Sequence, residues 1–353
     1  MDVLTLLDAC LDRGASDLHL SVGRPPVVRV RGGLVELDGA PLTAVDVEAM
    51  VGQLTPERNA KELAEVGTTD FAYAHADKCR FRVSVLTQKG QRAVVMRLIP
   101  QKLLSLEQIG LPESVRELLW LRRGMILVTG PTGSGKTTTL ATLIDWINHN
   151  RDVHIVTVED PIEYYHTHQQ SQITQREVGT DVPTFAEAMR RVLRQDPDVI
   201  LLGEMRDLET TSAAISAAET GHLVFGTLHT TGSARTVDRI IDQYPTDQQE
   251  QIRSQLAVAL VAVISQILVP TADGKGRVAA FEVMINNPAI ENHIRKCETF
   301  KIPSVIQTNR RAGMCLLDDY LLELYRSGRI DKDSALEHCF DRKALEQKLG
   351  GGA

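Results

Sequence analysis

Residues 130–137 of this chain fit the pattern G-x-x-x-x-G-K-[ST] at every fixed position. The preceding residues, 125–129, form a short apolar run that is typical of a buried parallel strand. The following residues, 138–148, carry apolar side chains at helical spacing. A strand, a glycine-rich turn and a helix in this order are the context that the pattern requires. The sequence therefore predicts a nucleotide-binding P-loop, in preference to a glycine-rich turn that matches by chance.

The chemistry of such a loop gives its residues roles. Glycines let backbone N–H groups turn toward phosphate oxygens, and the helix N-terminus adds a partial positive charge. Lys136 is expected to reach the β- and γ-phosphates, and the Thr137 hydroxyl to complete a Mg²⁺ site. The residues predicted to bind ATP or GTP are Gly130, Pro131, Thr132, Gly133, Ser134, Gly135, Lys136, Thr137 and Thr138.

Length and composition limit the class of protein. A chain of 353 residues favours two domains. Its 46 acidic and 39 basic residues give no general attraction to nucleic acid or anionic lipid. The five cysteines form no C-x-x-C pair, which predicts neither a disulfide framework nor a zinc site and fits a reducing cytoplasm.

The sequence also predicts a soluble protein without direct insertion into a membrane. Its N-terminus lacks the basic start and apolar core of a signal peptide. The most apolar run, residues 256–264, is about half of the ~20 residues that a membrane-spanning helix needs. Any association with a membrane is therefore expected to come through a partner.

The first part of the chain, residues 1–98, has the pattern of a small α+β domain. The predicted elements are a helix through Leu4, Leu7 and Leu11, a strand at 27–30, helices from Thr43 and Pro56, and a hairpin of strands 80–85 and 92–98. Residues 99–112 are predicted to link this domain to the nucleotide domain.

Residues 113–353 alternate short apolar strands with helices, the pattern of a mostly parallel sheet covered on both faces. The predicted strands are 125–129, 154–158, 199–202 and 223–228, and the predicted helices between them are 184–194 and 208–220. One further strand, 277–284, precedes helices that continue to the end. This C-terminal part is predicted to be a helical appendage of the same domain.

Two acidic segments follow predicted strands, at the edge where an α/β sheet faces its ligand crevice. Glu204 follows the apolar run 199–202 and is a candidate Walker B carboxylate that holds Mg²⁺ through a bound water, although many buried strands end in an acid. Residues 158–163 carry three carboxylates, one of which could orient the water that attacks the γ-phosphate. A solvated acidic turn around Pro161 is the alternative for this second segment.

Histidines and arginines supply further candidates. His222 and His229 lie at the two ends of one predicted strand without metal-ligand spacing, so a hydrogen-bonding role near phosphate or between subunits competes with an ordinary structural role. Arg80, Arg82 and Arg97 lie on the predicted hairpin. A solvated sheet face is the favoured interpretation for these arginines, and contact with a γ-phosphate across a domain or subunit boundary is the alternative.

Taken in order, these motifs resemble the secretion and type IV pilus ATPase superfamily, and most closely its pilus retraction ATPases, the PilT-like group. The resemblance covers nearly the whole chain. The matching segments are Ala15-Ser16-Asp17-Leu18-His19 as an N-terminal signature, 159–163 as an Asp box, 175–179, 193–198 leading into the Walker B region 204–207, and 222–229 as a His box.

The resemblance implies an α/β fold in which a RecA-like P-loop ATPase domain follows a smaller N-terminal α+β, PAS-like domain. By the same resemblance, Glu163 matches the catalytic glutamate that activates water, and Glu204 matches the Walker B acid. Arg82 and Arg97 match arginines that sense the γ-phosphate. His229 of the His box completes the set of candidate catalytic residues together with Lys136.

The resemblance also implies partners and a location. The working unit would be a ring-shaped homo-hexamer that uses ATP and Mg²⁺. It would act on a pilus platform protein at the cytoplasmic face of the bacterial inner membrane, with a paralogous pilus ATPase as a further partner and no nucleic acid. Rotation of one domain against the next subunit would convert hydrolysis into mechanical work.

Two features favour retraction over assembly. The extra N-terminal domains and the Cys-type zinc insert that are usual in assembly ATPases are missing from this sequence. Residues 289–296 occupy the position of the retraction motif Ala-Ile-Arg-Asn-Leu-Ile-Arg-Glu, but they depart from it at Glu291, His293 and Lys296. Two of these changes reverse the charge, which argues against the usual role of the motif. Gly276-Arg277 and residues 293–296 resemble the accessory, PilU-like paralogues.

Other functions therefore stay open. One alternative is an accessory ring subunit that binds nucleotide and assists another pilus motor, and a second is a pilus assembly or type II secretion ATPase. A DNA translocase on a similar core is disfavoured, because the sequence has no basic loop and no stacking aromatic residues for nucleic acid.

Overall fold

The structure is a computed structural model that describes residues 2–30, 32–76, 78–99 and 103–350. The chain divides into two compact units. The first consists of Met1–Lys102 with the short segment Pro161–Tyr165, and the second consists of Leu103–Asp160 with His166–Ala353. Within the predicted linker, residues 100–102 lie outside the described residues, and a short helix, Leu106–Ile109, forms within the remainder.

The first unit is a six-stranded antiparallel sheet with helices packed on it. Its elements are α1 (Val3–Asp12), β1 (Asp17–Ser21), β2 (Val27–Val30), β3 (Gly33–Glu36), α2 (Ala44–Leu54), α3 (Glu57–Val66), β4 (Thr68–His75), β5 (Cys79–Gln88) and β6 (Gln91–Ile99). The strand order is β3-β2-β1-β6-β5-β4. The hairpin predicted from the two β-branched runs is confirmed as β5 paired with β6.

Alternation along β5 separates the core of this unit from its opposite face. Phe81, Val83 and Val85 are fully buried and pack with apolar residues of the helices, whereas Arg80 and Arg82 lie on the other side of the pleat. Arg80 and Arg82 therefore lie on the face of the sheet opposite the core.

The helix predicted at the N-terminus is present as α1, and Leu7 lies on its buried face. Leu4 is exposed and Leu11 is only half-buried, while Val3, Leu6, Leu7 and Cys10 are buried. Both sets fit a helical period, so spacing alone did not distinguish them. Helix α2 begins where it was predicted, because Thr43 and Asp46 form a reciprocal capping box.

The second unit is built on a seven-stranded sheet of order β13-β12-β7-β11-β10-β8-β9. Its elements are α4 (Leu106–Ile109), α5 (Glu113–Leu118), β7 (Gly124–Thr129), α6 (Lys136–Asn150), β8 (His154–Glu159), β9 (Gln172–Glu177), α7 (Phe185–Val192), β10 (Val199–Leu202), α8 (Leu208–Thr220), β11 (Leu223–Leu228), α9 (Ser233–Ile241), α10 (Gln249–Ala259), β12 (Leu260–Pro270), β13 (Arg277–Ile285), α11 (Pro288–Arg295), α12 (Ile302–Thr308), α13 (Leu317–Arg326), α14 (Lys332–His338) and α15 (Arg342–Gly350), with 3₁₀ turns at Thr299–Lys301 and Arg310–Ala312. All neighbouring strands are parallel except β12 and β13, which are antiparallel.

Helices cover both faces of this sheet, as the alternation of strands and helices predicts. In β7, Met125 and Leu127 pack toward α8 to α10, and Ile126 and Val128 pack toward α6. A further cluster joins the C-terminal helices α13–α15 to β12 and β13. None of the helices in the described parts of the chain combines the length and apolarity needed to cross a membrane.

All five strands predicted for this unit are confirmed, but two others were missed. Strand β9 has a mostly polar sequence, so it shows no alternation of apolar and polar residues from which a strand could be predicted. Strand β12 was hidden because the apolar run 256–264 spans the end of α10 and the start of β12. This omission matters for the site, since β12 pairs with β7 directly beside the P-loop.

Candidate active site

The P-loop connects the end of β7 to the start of α6. Gly130, Gly133 and Gly135 all have positive φ angles, of 144°, 79° and 88°. A Cβ atom at Gly130 would lie 2.1 Å from the carbonyl oxygen of Gln266, and one at Gly135 would lie 2.9 Å from the Nε2 atom of Gln266. Backbone conformation and lack of space therefore both require glycine at these two positions.

Lys136 is the first residue of α6, and its ammonium group is turned back into the loop. Its Nζ atom donates hydrogen bonds to the carbonyl oxygens of Gly130, at 2.8 Å, and of Pro131, at 3.1 Å. Burial lowers the pKa of Lys136 below its ordinary value, and the nearby carboxylate of Glu204 opposes this shift. Lys136 and Glu204 thus belong to one electrostatic environment.

The loop fits a phosphate ligand on two structural observations. The glycine positions form a cradle that side chains would fill. The hydroxyl of Ser134 is buried and has no hydrogen-bond partner among the described residues, which is unusual for a buried polar atom. Thr137 and Thr138 lie half-buried in the first turn of α6. These residues suit a phosphate group and its metal ion.

Glu204 lies just beyond β10 and is held by two side chains. Its Oε1 atom accepts hydrogen bonds from Arg206 Nε, at 2.6 Å, and from His229 Nε2, at 2.9 Å. Burial would raise the pKa of Glu204, but the hydrogen bond from Arg206 and the charges of Arg206 and His229 outweigh it, so the pKa is lowered. The carboxylate therefore stays ionised, as a metal-binding carboxylate must.

The pairing of Glu204 with His229 follows from the sheet. Strands β10 and β11 are parallel neighbours, so their carboxyl ends meet at one edge. Beyond the strands, Met205 N donates to the carbonyl of Thr227 at 3.1 Å. Because this bond fixes the two strand ends, the side chains at 204 and 229 meet. His222, at the other end of β11, instead directs its Nδ1 atom to the carbonyl of Ala217 at 3.0 Å.

The segment after β11 is anchored by β12 and β13. Gly232 N donates to Ser265 Oγ at 2.8 Å, and Ser233 N donates to Glu282 Oε1 at 2.7 Å. Both acceptors are buried. Together they fix the path of the chain from His229 into α9.

The Asp box is divided between the two units. Glu159 closes β8 in the second unit, where it accepts hydrogen bonds from Thr157 Oγ1, at 2.6 Å, and Gln175 Nε2, at 3.2 Å. Glu163 belongs to the segment Pro161–Tyr165 of the first unit. Glu159 therefore has specific partners, whereas Asp160 next to Pro161 is exposed.

Arginines of β5 contact this segment within the first unit. Arg82 Nη1 lies 3.8 Å from Glu163 Oε1. Arg80 Nη1 donates to the carbonyl of Ile162 at 3.1 Å, and its guanidinium lies 3.6 Å from the ring centroid of Tyr165. Arg80 is therefore half-buried and held by specific contacts, whereas Arg82 remains exposed, as the solvated-face interpretation predicts.

Arg97 lies in a row of charged residues that crosses four strands. Register places Arg29 opposite Asp17, Asp17 opposite Arg97, and Arg97 opposite Arg82. Asp17 Oδ1 accepts from Arg97 Nε at 2.9 Å, and Asp17 Oδ2 lies 3.7 Å from Arg29 Nε. Residues directly opposite each other share a face of the sheet. The two candidate sensor arginines are thus cross-strand neighbours.

The predicted site residues accordingly form two groups. Lys136, Thr137, Glu204 and His229 are brought together around the P-loop of the second unit. In the first unit, Arg82 contacts Glu163 and is the cross-strand neighbour of Arg97. Residues that the sequence did not single out are Gln266, Arg206 and Glu282. Gln266 and Glu282 could have been found from the sequence, because each is a polar residue within an apolar strand.

The fold and this site define a P-loop ATPase of the RecA-like type, in which a buried parallel sheet presents a phosphate loop and an ionised strand-end carboxylate. The family described as "Type II/IV secretion system protein" matches residues 68–318. The chain belongs to this family, and it is a nucleotide-hydrolysing ATPase.

Relatives extend the similarity to both units. The type IV pilus retraction ATPase PilT of Pseudomonas aeruginosa is 45% identical over 337 residues, covering 96% of this chain and 98% of that protein. The type IV pilus ATPase PilU of the same organism is 38% identical, covering 96% and 89%. A crystal structure of the pilus retraction motor PilT with bound ADP aligns with a TM-score of 0.92 at 44% identity, covering 98% of this chain and 99% of that one. The RecA-like fold with a smaller N-terminal α+β domain is thereby confirmed.

Proposed function

We propose that this chain is the ATP-hydrolysing motor that retracts type IV pili and so drives twitching motility. The observation that carries the proposal is similarity to PilT along almost the entire length of both chains. The site supports it, because the phosphate loop, Lys136 and the ionised Glu204 supply the parts that phosphoryl transfer to water needs.

The proposed roles follow from chemistry and position. The residues from Gly130 to Thr138 bind the triphosphate, and Lys136 leaves its carbonyl partners to contact the β- and γ-phosphates. Thr137 and Glu204 hold Mg²⁺, which when bound neutralises phosphate charge. His229 and Arg206 position Glu204. These assignments require only residues that the structure places in the second unit.

The first unit supplies the remaining roles. Glu163 orients the attacking water as a general base, and Arg82 and Arg97 stabilise the γ-phosphate across a domain or subunit boundary. In chain order we assign residues 1–98 to the PAS-like domain, 99–112 to the linker and 113–353 to the ATPase domain, whose segment Pro161–Tyr165 belongs to the first compact unit. The hydrogen bond between Asp17 and Arg97 supports this proposal, because it restrains Arg97 on the charged face of the first unit.

The proposed assembly is a homo-hexamer at the cytoplasmic face of the bacterial inner membrane. Its partner is the pilus platform protein, which receives the mechanical work, and a paralogous pilus ATPase is a second partner. The supporting relation is that PilT and PilU of one organism both match this chain over 96% of its length.

One observation favours an accessory, PilU-like role as the second candidate. In α11, which carries the C-terminal motif, Glu291 forms an ion pair with Arg295 at 2.7 Å, and His293 Nδ1 lies 3.2 Å from Glu298 Oε2. Two of the residues that depart from the retraction motif are therefore engaged in local pairs. An accessory subunit would bind ATP but contribute little hydrolysis of its own to retraction.

The deciding experiment compares surface pili and twitching in a strain deleted for this gene and complemented with wild type, Lys136→Ala or the exposed control Lys61→Ala. We expect the deletion strain to be crowded with pili and unable to twitch, with rescue by wild type and Lys61→Ala only. Rescue by Lys136→Ala would indicate the accessory role. A strain without pili would indicate an assembly motor and contradict retraction.

A further inference from the structure

Strand β12 carries two adjacent buried polar residues, Ser265 and Gln266, in an otherwise apolar stretch. Gln266 is 2% exposed, and its neighbours along the strand include Ile264, Ile267 and Leu268. A buried amide is costly unless its polar atoms are paired, so an aliphatic residue would be the simpler choice for packing. The presence of glutamine therefore calls for a specific function.

Both ends of the Gln266 amide are paired, and both partners belong to the phosphate loop or its helix. Nε2 donates to the carbonyl oxygen of Ser134 at 2.5 Å, and Oε1 accepts from Thr139 Oγ1 at 2.8 Å. A carbonyl oxygen only accepts hydrogen bonds, so the nitrogen of the amide must face Ser134. The side chain thus connects β12 to α6 through the last turn of the loop.

This contact also fixes the direction of a backbone N–H group. In a trans peptide the C=O and the following N–H point in opposite directions. Because the Ser134 carbonyl is turned toward β12, the N–H of Gly135 is turned away from β12, into the loop where phosphate oxygens bind. Loss of the contact would remove one restraint on this peptide plane.

Gln266 also accounts for the two fixed glycines of the motif. Its backbone oxygen occupies the space of a Cβ atom at Gly130, and its amide nitrogen occupies that of a Cβ atom at Gly135. One residue of β12 thus lies against both ends of the glycine-rich turn.

We propose that Gln266 is a positioning residue for nucleotide binding, which holds the phosphate loop in its binding conformation from the neighbouring strand. The inference rests on the nucleotide-binding part of the proposed function and not on pilus retraction. A loop that adopts the binding conformation only part of the time binds with an affinity reduced by that fraction.

The test measures binding of ADP with Mg²⁺ to the full-length chain, together with ATP turnover. In Gln266→Leu the dissociation constant for ADP should rise about tenfold, and kcat/KM for ATP should fall by a similar factor. The matched control is Asn286→Ala, since Asn286 also uses its amide to donate to two carbonyls, those of Ala257 and Leu260, at 2.9 and 2.7 Å. This control should lower the melting temperature without changing ADP affinity.

Gln266→Glu provides a readout that a merely structural role would not produce. A protonated glutamic acid can donate to the Ser134 carbonyl, whereas an ionised one repels it. ADP affinity of this variant should therefore recover as the pH falls, relative to wild type at the same pH.

Wild-type ADP affinity in folded Gln266→Leu would overturn the inference, as would an equal loss of affinity in Asn286→Ala. If Gln266→Leu does not fold, a pH-independent affinity in Gln266→Glu overturns it instead. Failure of the wild-type chain to bind ADP at all would contradict the proposed function, and so the two failures are distinguishable.

Discussion

The carboxylate of Asp17 and the guanidinium of Arg97 face each other across β1 and β6, with Oδ1 and Nε 2.9 Å apart. Asp17 is almost fully buried, whereas 72% of the Arg97 side chain is exposed. Asp17 therefore fixes the base of a side chain whose charged end remains accessible. An arginine that must meet a phosphate benefits from such restraint, because less conformational entropy is lost on contact.

Asp17 should make the first unit sensitive to acid. Burial raises the pKa of Asp17, but hydrogen bonds from Arg97 and Ser16 outweigh burial, so its pKa lies below the ordinary 3.8. A lowered pKa means that this stabilisation is present above the ordinary pKa and is lost as the pH falls through the lowered value. Asp17→Asn should reduce the free energy of unfolding by about 2 kcal/mol at neutral pH and flatten its acid dependence.

Chemical denaturation over a range of pH checks this prediction. The exposed carboxylate Asp70 offers a matched control, and Asp70→Asn should retain the acid dependence of wild type. Equal acid dependence in Asp17→Asn and wild type would mean that the Asp17 pair does not stabilise the fold.

Arg206 should determine the pH at which ATP hydrolysis is lost on the acid side of its pH profile. It donates to Glu204 and opposes the effect of burial, which keeps the pKa of Glu204 below its ordinary value of 4.5. In Arg206→Met the pKa of Glu204 should rise, so the acid limb of the kcat/KM profile for ATP should move to higher pH. The exposed Arg194 supplies the control variant Arg194→Met. Superimposable pH profiles of Arg206→Met and wild type would argue against this role.

Glu163 and Lys136 should separate hydrolysis from binding. Glu163→Gln removes the proposed base and should lower ATP turnover by about 10²- to 10⁴-fold while ADP still binds. Lys136→Ala removes the phosphate contact and should weaken both binding and turnover. Calorimetric titration with ADP and a phosphate-release assay measure the two quantities. Full turnover in Glu163→Gln would exclude Glu163 as the base.

Glu282 should make stability fall with rising pH, which is opposite to the effect of Asp17. Burial raises the pKa of this carboxyl, with Asp318 adding to the shift and the N–H of Ser233 opposing it. A raised pKa means that stability is present below the ordinary value of 4.5 and is lost as the pH rises through the raised value. Glu282→Gln keeps an acceptor for Ser233 but cannot ionise, so its melting temperature should fall less than that of wild type with rising pH.

A melting series from acidic to mildly alkaline pH decides this point. The exposed control Glu250→Gln should follow wild type throughout. If Glu282→Gln also follows wild type, the carboxyl is not the source of the loss of stability with rising pH.

The sequence alone predicted those elements of the second unit that have strong local patterns. The four apolar strands and the glycine-rich turn were read correctly, because β7, β8, β10 and β11 are buried on both faces and carry continuous apolar runs. Their parallel order then placed Glu204 near the loop. These features depend on short stretches of chain.

The remaining features depend on contacts that are distant in sequence. Gln266 and Ser134 are separated by 132 positions, and Arg80 and Ile162 by 82. The spacing of residues within a short stretch of sequence cannot predict such pairs. Nor could spacing reveal that the Asp box is shared, since residues 160 and 161 are adjacent in sequence but belong to different units.

The assignment of Pro161–Tyr165 to the first unit has a consequence for modularity. A chimera that replaces only the N-terminal stretch would combine arginines of a relative on β5 with the native 161–165 segment, and so would mix two sequences within one compact unit. A chimera that preserves these contacts takes both Met1–Lys102 and Pro161–Tyr165 from the same relative. The order of the sequence therefore differs from the division into compact units, because five residues of the first unit interrupt the sequence of the second.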